Sequence, residues 1–166
     1  KKLLQINTEA TGLSTGRIAE GIGNAVLADG WESYIAYGRR TGDSNSNMYA
    51  IGSKKDFYIH ALDSRIFGRS GYSSKNATLK LLDYIKEVKP DIIQLHNLHG
   101  YYLNLEILFN YLNSIDVPLV WAFHDLWPIT GHCTQFENVS CEKWKTICHH
   151  CPQLNEYPKS IFIDNS

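Results

Sequence analysis

Short apolar runs alternate along this chain with stretches whose apolar residues return every third or fourth position, the pattern of strands alternating with amphipathic helices. Leu3-Leu4-Gln5-Ile6-Asn7 reads as a strand that runs into a loop of small and polar residues over 8–16. The spacing of Ile18, Ile22, Ala25 and Val26 predicts a helix, with Ser14 or Thr15 as N-cap and Gly30 as its stop. Ser33 to Tyr37 makes a second strand, residues 38–47 a turn-rich connection, and Met48 to Ile51 a short further strand. Residues 56–67 mix aromatic and β-branched side chains and fit a helix without fixing one. Ala77, Leu81, Leu82, Ile85 and Val88 give a helix over 75–88 that Pro90 closes before the strand Asp91 to His96. A loop over 97–100 leads to a helix over 104–115, and Pro118 opens a strand, expected to be buried, that ends at Phe123.

This alternation predicts an α/β fold, a Rossmann-like parallel sheet with helices on both faces and right-handed crossovers. Periodicity ends near Cys133, so residues 1–132 form the Rossmann-like domain and 133–166 an irregular, Cys-rich extension of it. A length of 166 residues suits one domain. The formal charge of -1, from 16 basic and 17 acidic residues, excludes nucleic acid as an expected partner. With no apolar run of about 20 residues and an N-terminus that turns polar at once, the chain is expected to be cytoplasmic and reduced. The lack of an initiator Met and of a closing element at the far end leads us to expect a longer parent protein.

Candidate chemistry lies at the carboxyl ends of the strands, where open α/β sheets bind ligands. His96 and His99 follow one strand and His124-Asp125 another, and their imidazoles suit hydroxyl or phosphate groups. Asp125 also suits a turn cap, and Trp127 either a sugar platform or the lid of a small core. Gly12 and Gly16 allow close backbone approach at a helix start that can take an anion or sugar, with Arg17 adding charge, although the Gly-x-Gly-x-x-Gly fingerprint is missing. Cys133, Cys141, Cys148 and Cys151 include one Cys-x-x-Cys corner; structural zinc, disulfides and buried thiols all stay open, and His149 or His150 can replace one sulfur.

The segments Leu4 to Asn7, Ser14 to Ala19, Lys89 to His99 and His124 to Cys133, with the Cys-His-His-Cys-Pro tail, resemble the N-terminal half of family 4 glycosyltransferases, chiefly bacterial members that build surface polysaccharides. The resemblance implies one half of a GT-B enzyme, the acceptor-side domain, with the C-terminal nucleotide-sugar domain absent. It implies transfer from a nucleotide-sugar to a glycan or polyprenyl-linked acceptor, with retention at the anomeric carbon, no cofactor required for catalysis and peripheral association with the inner face of the membrane. His124 is then the catalytic residue, in contact with the transferred sugar. Ser14, Thr15, Gly16, Arg17, His96, Asn97, His99, Asp125 and Trp127 are the expected substrate contacts. The chain alone is expected to bind weakly and transfer nothing. A metal-dependent hydrolase using His96, His99, His124 and Asp125, and a non-catalytic carbohydrate-binding module, are the alternatives.

Overall fold

The computed structural model describes residues 1–40, 42–148 and 150–164, in a five-stranded, wholly parallel sheet flanked by helices. The elements run β1 (Lys2–Glu9), α1 (Leu13–Ala28), β2 (Glu32–Arg40), β3 (Asn47–Ala50), α2 (Lys54–Phe67), α3 (Lys75–Val88), β4 (Ile92–Leu95), α4 (Leu105–Leu112), β5 (Leu119–Trp121) and α5 (Trp127–Thr130). Sheet order is β3-β2-β1-β4-β5, with Leu4 registered to Tyr34 on one side and Ile93 on the other. This is the order of a Rossmann-like half, and it sends the loops after β1, β4 and β5 to one edge.

Side chains alternate across the sheet as the strand period requires. Leu4, Ile6, Ala36, Ile93 and Leu95 face the main core with Leu81 and Ile85 of α3 and Leu108 and Leu112 of α4. On the opposite face Ala10, Ala19 and Ile35 pack together with α1 overhead. Burial of large side chains such as Leu4, Ile6, Leu81 and Leu95, each 0% exposed, contributes roughly 1.5–3 kcal/mol apiece and carries the stability of the domain.

Several local expectations change. The N-cap of α1 is Gly12, with no side-chain cap, and Ser14 and Thr15 lie inside the first turn. The buried stripe of α1 is Gly16, Ala19 and Gly23, not the face carrying Ile18 and Ala25, which are exposed. Small residues win because the helix lies so close to the sheet that a Cβ on Gly23 would sit 2.5 Å from Ser46 Oγ. The α2 region is a full helix, started by a capping box in which Ser53 and Asp56 satisfy each other's backbone N–H, and ended by Gly68 in the left-handed conformation. The helix expected over 104–115 closes at Leu112. The strand expected to be buried before His124 is instead an edge strand: Leu119, Val120 and Phe123 are each more than two-fifths exposed. Among the described residues the extension after Cys133 holds two short 3-10 turns, Glu137–Val139 and Lys143–Lys145, neither with a buried residue.

Candidate functional site

Because β1, β4 and β5 are parallel neighbours, His96, His99 and His124 emerge at a single edge although the sequence separates them. The edge is locked across the strands. The Thr8 hydroxyl lies 3.0 Å from the Asn97 carbonyl and 2.5 Å from the His99 carbonyl, and Asn7 Oδ1 accepts from the backbone N–H of Thr8 and of Asn97. Gly100 closes the loop at φ 124°, where a Cβ would come within 2.7 Å of Thr8 Cγ2, so only glycine fits.

Two histidine pairs form there. His96, 1% exposed, lies edge to edge and nearly coplanar with His124, ring planes 7° apart and a contact of 2.9 Å from its Nδ1 to His124 Nε2. Its Nε2 lies 3.0 Å from Gln5 Oε1, and Gln5 Nε2 donates to the Ala19 carbonyl of α1 at 2.9 Å. Burial pulls the His96 imidazole down to about 4, with His124 pushing the same way, and burial also lowers His124. Both rings are therefore neutral near pH 7. His124 borders an open cleft of about 490 Å³ with Asp125, Ile129, Gln135 and Glu137.

In the second pair His99 Nε2 meets Asp125 Oδ2 at 2.7 Å, and His99 Nδ1 lies 3.0 Å from the Tyr157 hydroxyl. Burial alone would raise the Asp125 carboxyl, but the His99 hydrogen bond and charge, the Trp127 N–H and His124 together hold it below the usual carboxylate range. Asp125 Oδ1 accepts the Trp127 N–H at 3.0 Å, so Asp125 both caps its turn and pairs with His99.

The expected substrate contacts divide on this geometry. His124, Asp125 and His99 come together; His96 stands behind them, too buried for substrate. Trp127 is 5% exposed within the main core, its ring 5.7 Å from His99, so it is a lid over packed side chains and presents no open platform. The Asn97 carbonyl is taken by Thr8 and Tyr102. Ser14 and Arg17 are exposed, Thr15 half-buried and Gly16 buried in the first turn of α1, at the same edge but without a hydrogen bond to the histidines. Beside them Glu9, 3% exposed, pairs with Arg39 at 3.6 Å, and that guanidinium covers the Phe57 ring.

Gln5, Thr8 and Tyr157 belong to the site and were not expected. Gln5 had a signal, a lone amide inside an apolar strand, which a buried position tolerates only with its hydrogen bonds made. Tyr157 had none, since it arrives from the irregular extension. A larger open cleft of about 740 Å³ lies between the end of α2 and the starts of α3 and α4, bordered by Asp63, Arg69, Tyr72 and Lys75, and carries no histidine.

Cys133, Cys141, Cys148 and Cys151 border one small apolar pocket with Phe136 and Trp144, whose rings stack at 4.8 Å. All four are free thiols, and burial raises Cys133, Cys148 and Cys151. Among the described residues no three His, Cys, Asp or Glu side chains are grouped as ligands of one metal ion, either here or at the histidines. His149, the alternative to one sulfur, lies outside the described residues, as do Thr41 of the β2–β3 connection and Asn165 and Ser166 at the end of the extension.

No protein-family model matches the chain. It is 29% identical over 168 aligned residues to WcaC of Escherichia coli (strain K12), which carries the provisional name of a colanic acid biosynthesis glycosyl transferase. The match takes in 94% of this chain, which spans 40% of the length of that relative.

Proposed function

We propose that this chain is the acceptor-side half of a retaining glycosyltransferase that moves a sugar from a nucleotide-sugar to a glycan or lipid-linked acceptor in surface-polysaccharide synthesis. The observation that carries the reading is the meeting of His124 with the His99–Asp125 pair at the carboxyl edge of a parallel sheet. Similarity to WcaC over nearly the whole chain supports the same chemistry.

In this reading His124, neutral and bordering the cleft, holds a sugar hydroxyl so that leaving phosphate and incoming hydroxyl meet in one orientation. The first turn of α1 and Arg17 oppose phosphate charge through unpaired N–H groups and a guanidinium. Asp125 holds His99 in place from below the ordinary carboxylate range, so the pair stays formed across neutral pH. Donor recognition falls to residues outside this chain. No helix among the described residues is long and apolar enough to cross a membrane.

The test is transfer of labelled sugar by the full-length protein. His124→Ala should lower turnover at least ~100-fold with an unchanged fold, the scale on which losing one hydrogen-bonding group at a reacting centre is felt. Product in the inverted anomeric configuration would overturn the retaining assignment, and undiminished turnover would remove His124 from the site.

We propose in addition that zinc, held by Cys133, Cys141, Cys148 and Cys151, ties down the extension. Four thiols around one dry pocket, in a segment with almost no apolar core of its own, support it.

A further inference from the structure

The polar contacts behind His124 form a chain whose direction is set at one end. Gln5 Nε2 lies against the Ala19 carbonyl, which can only accept, so the amide cannot be turned round without placing oxygen against oxygen. Gln5 Oε1 therefore points to His96 and must receive a proton from its Nε2. A neutral imidazole carries one N–H. With that N–H spent on Gln5, His96 Nδ1 is bare, and the 2.9 Å contact to His124 Nε2 is a hydrogen bond only if His124 donates it. His124, neutral as well, then has its other nitrogen bare, and that atom makes no hydrogen bond among the described residues while the side chain borders the cleft.

We infer that Gln5 and His96 are positioning residues that fix the proton of His124 on Nε2 and present Nδ1 to the cleft as a hydrogen-bond acceptor, matched to a ligand hydroxyl. The burial that keeps both rings neutral supports this assignment. The inference rests on the glycosyltransferase reading only for what occupies the cleft, and it narrows that reading. A phosphate oxygen, itself an acceptor, would face a lone pair at Nδ1 and is turned away, whereas a sugar hydroxyl donates to it. Specificity of this kind comes from orientation: the same imidazole in its other tautomer would offer an N–H and select the opposite partner. Gln5 does this from the middle of β1, with no contact to ligand.

Long-range proton–nitrogen correlation NMR of the histidine-labelled protein near pH 7 reads tautomers directly. His96 and His124 are both expected as the Nε2–H form. His96→Asn, whose Oδ1 replaces Nδ1 as acceptor, should leave His124 in that form; His96→Phe and Gln5→Leu should release it into a mixture. An Nδ1–H His124 in the wild-type protein, or a tautomer unmoved by both His96→Phe and Gln5→Leu, overturns the relay. If His96→Phe does not fold, Gln5→Leu alone decides. Titration with methyl glucoside should shift the His124 Nδ1 resonance and dimethyl phosphate, an anion whose oxygens only accept, should not; a shift with that phosphate, or none with the sugar, overturns the hydroxyl assignment. In the full-length enzyme Gln5→Leu should lower kcat about tenfold with KM for the donor nearly unchanged, and an equal loss in both overturns the positioning role. These readings separate from the function test: fixed tautomers in a full-length protein that transfers no sugar would sink the transferase reading and leave the relay standing.

Discussion

His99 and Asp125 close a 2.7 Å hydrogen bond between the loop after β4 and the turn after β5, with 11% and 15% of their side chains exposed. The same carboxylate caps the Trp127 N–H through its other oxygen, so removing it costs two contacts and changing it to an amide costs one.

Urea unfolding of the two variants separates these contributions. Asp125→Asn should lose about 1 kcal/mol, because the amide oxygen still caps Trp127 while the charge-assisted bond to His99 weakens. Asp125→Ala should lose about 2–3 kcal/mol, since the cap goes as well and the partly buried His99 Nε2 loses its hydrogen-bond partner. Equal losses would mean that the cap contributes nothing.

Acid should destabilise the domain through two buried histidines. His60, bonded to Ser74 Oγ and the Gly71 N–H, and His96 are both pushed by burial to about 4. Unfolded, each takes up a proton around 6.5, so between 6.5 and 4 the unfolded chain holds more protons and stability falls as pH falls. Their contribution is fully present above pH 6.5 and lost on the way down to 4, on the order of 3 kcal/mol for each histidine. Unfolding free energies measured across that range should show the slope, and His60→Asn or His96→Asn should each flatten it; a flat wild-type profile contradicts the burial of both rings.

Two glycines of α1 should respond oppositely to alanine. A Cβ on Gly21 meets nothing within 4 Å, so Gly21→Ala should stabilise by up to about 1 kcal/mol through helix propensity. A Cβ on Gly23 would lie 2.5 Å from Ser46 Oγ and 3.0 Å from Ser33 Oγ, two buried hydroxyls bonded to each other, so Gly23→Ala should cost about 1–3 kcal/mol as the helix is pushed off the sheet. Thermal unfolding of both variants gives the comparison, and a stabilised Gly23→Ala would show that α1 has room to move.

The proposed zinc is checked by metal analysis of protein purified without chelator: one zinc per chain is expected, its removal taking up protons as four thiolates become titratable thiols. Cys148→Ser should abolish the stoichiometry and increase proteolysis after Cys133 while β1–β4 stay protected from hydrogen exchange. A folded extension with four titratable thiols and no metal refutes it.

How much of this was legible in the sequence follows from how locally each feature is encoded. The helix over 75–88 and the strands ending at Asn7 and His96 stand out because their periodicities are strong and Pro90 marks a boundary. The meeting of His96, His99 and His124 followed from one inference, that alternating strands and helices pair in parallel. The buried face of α1 does not follow from apolar size, because the tight crossing over Ser33 and Ser46 selects glycine and alanine. Burial of β5 was misread because an apolar strand looks the same at an edge as in the middle. Tyr157 was out of reach for a different reason: it lies in a segment with no repeating pattern, and only the folded chain brings it against His99.

The central place of β1 has a consequence for how the molecule forms. One side of this strand pairs with β2, which follows after a single helix, but the other waits for Ile92 and Ile93, after two more strands' worth of chain and two further helices. Until they arrive, one edge of this deeply buried strand has no partner but water, and Gln5 has no His96 to receive. Non-local closure of this kind slows folding. The docking of β4 onto β1 should therefore be the committing event, and the same event that assembles the sheet brings the first of the site histidines into place.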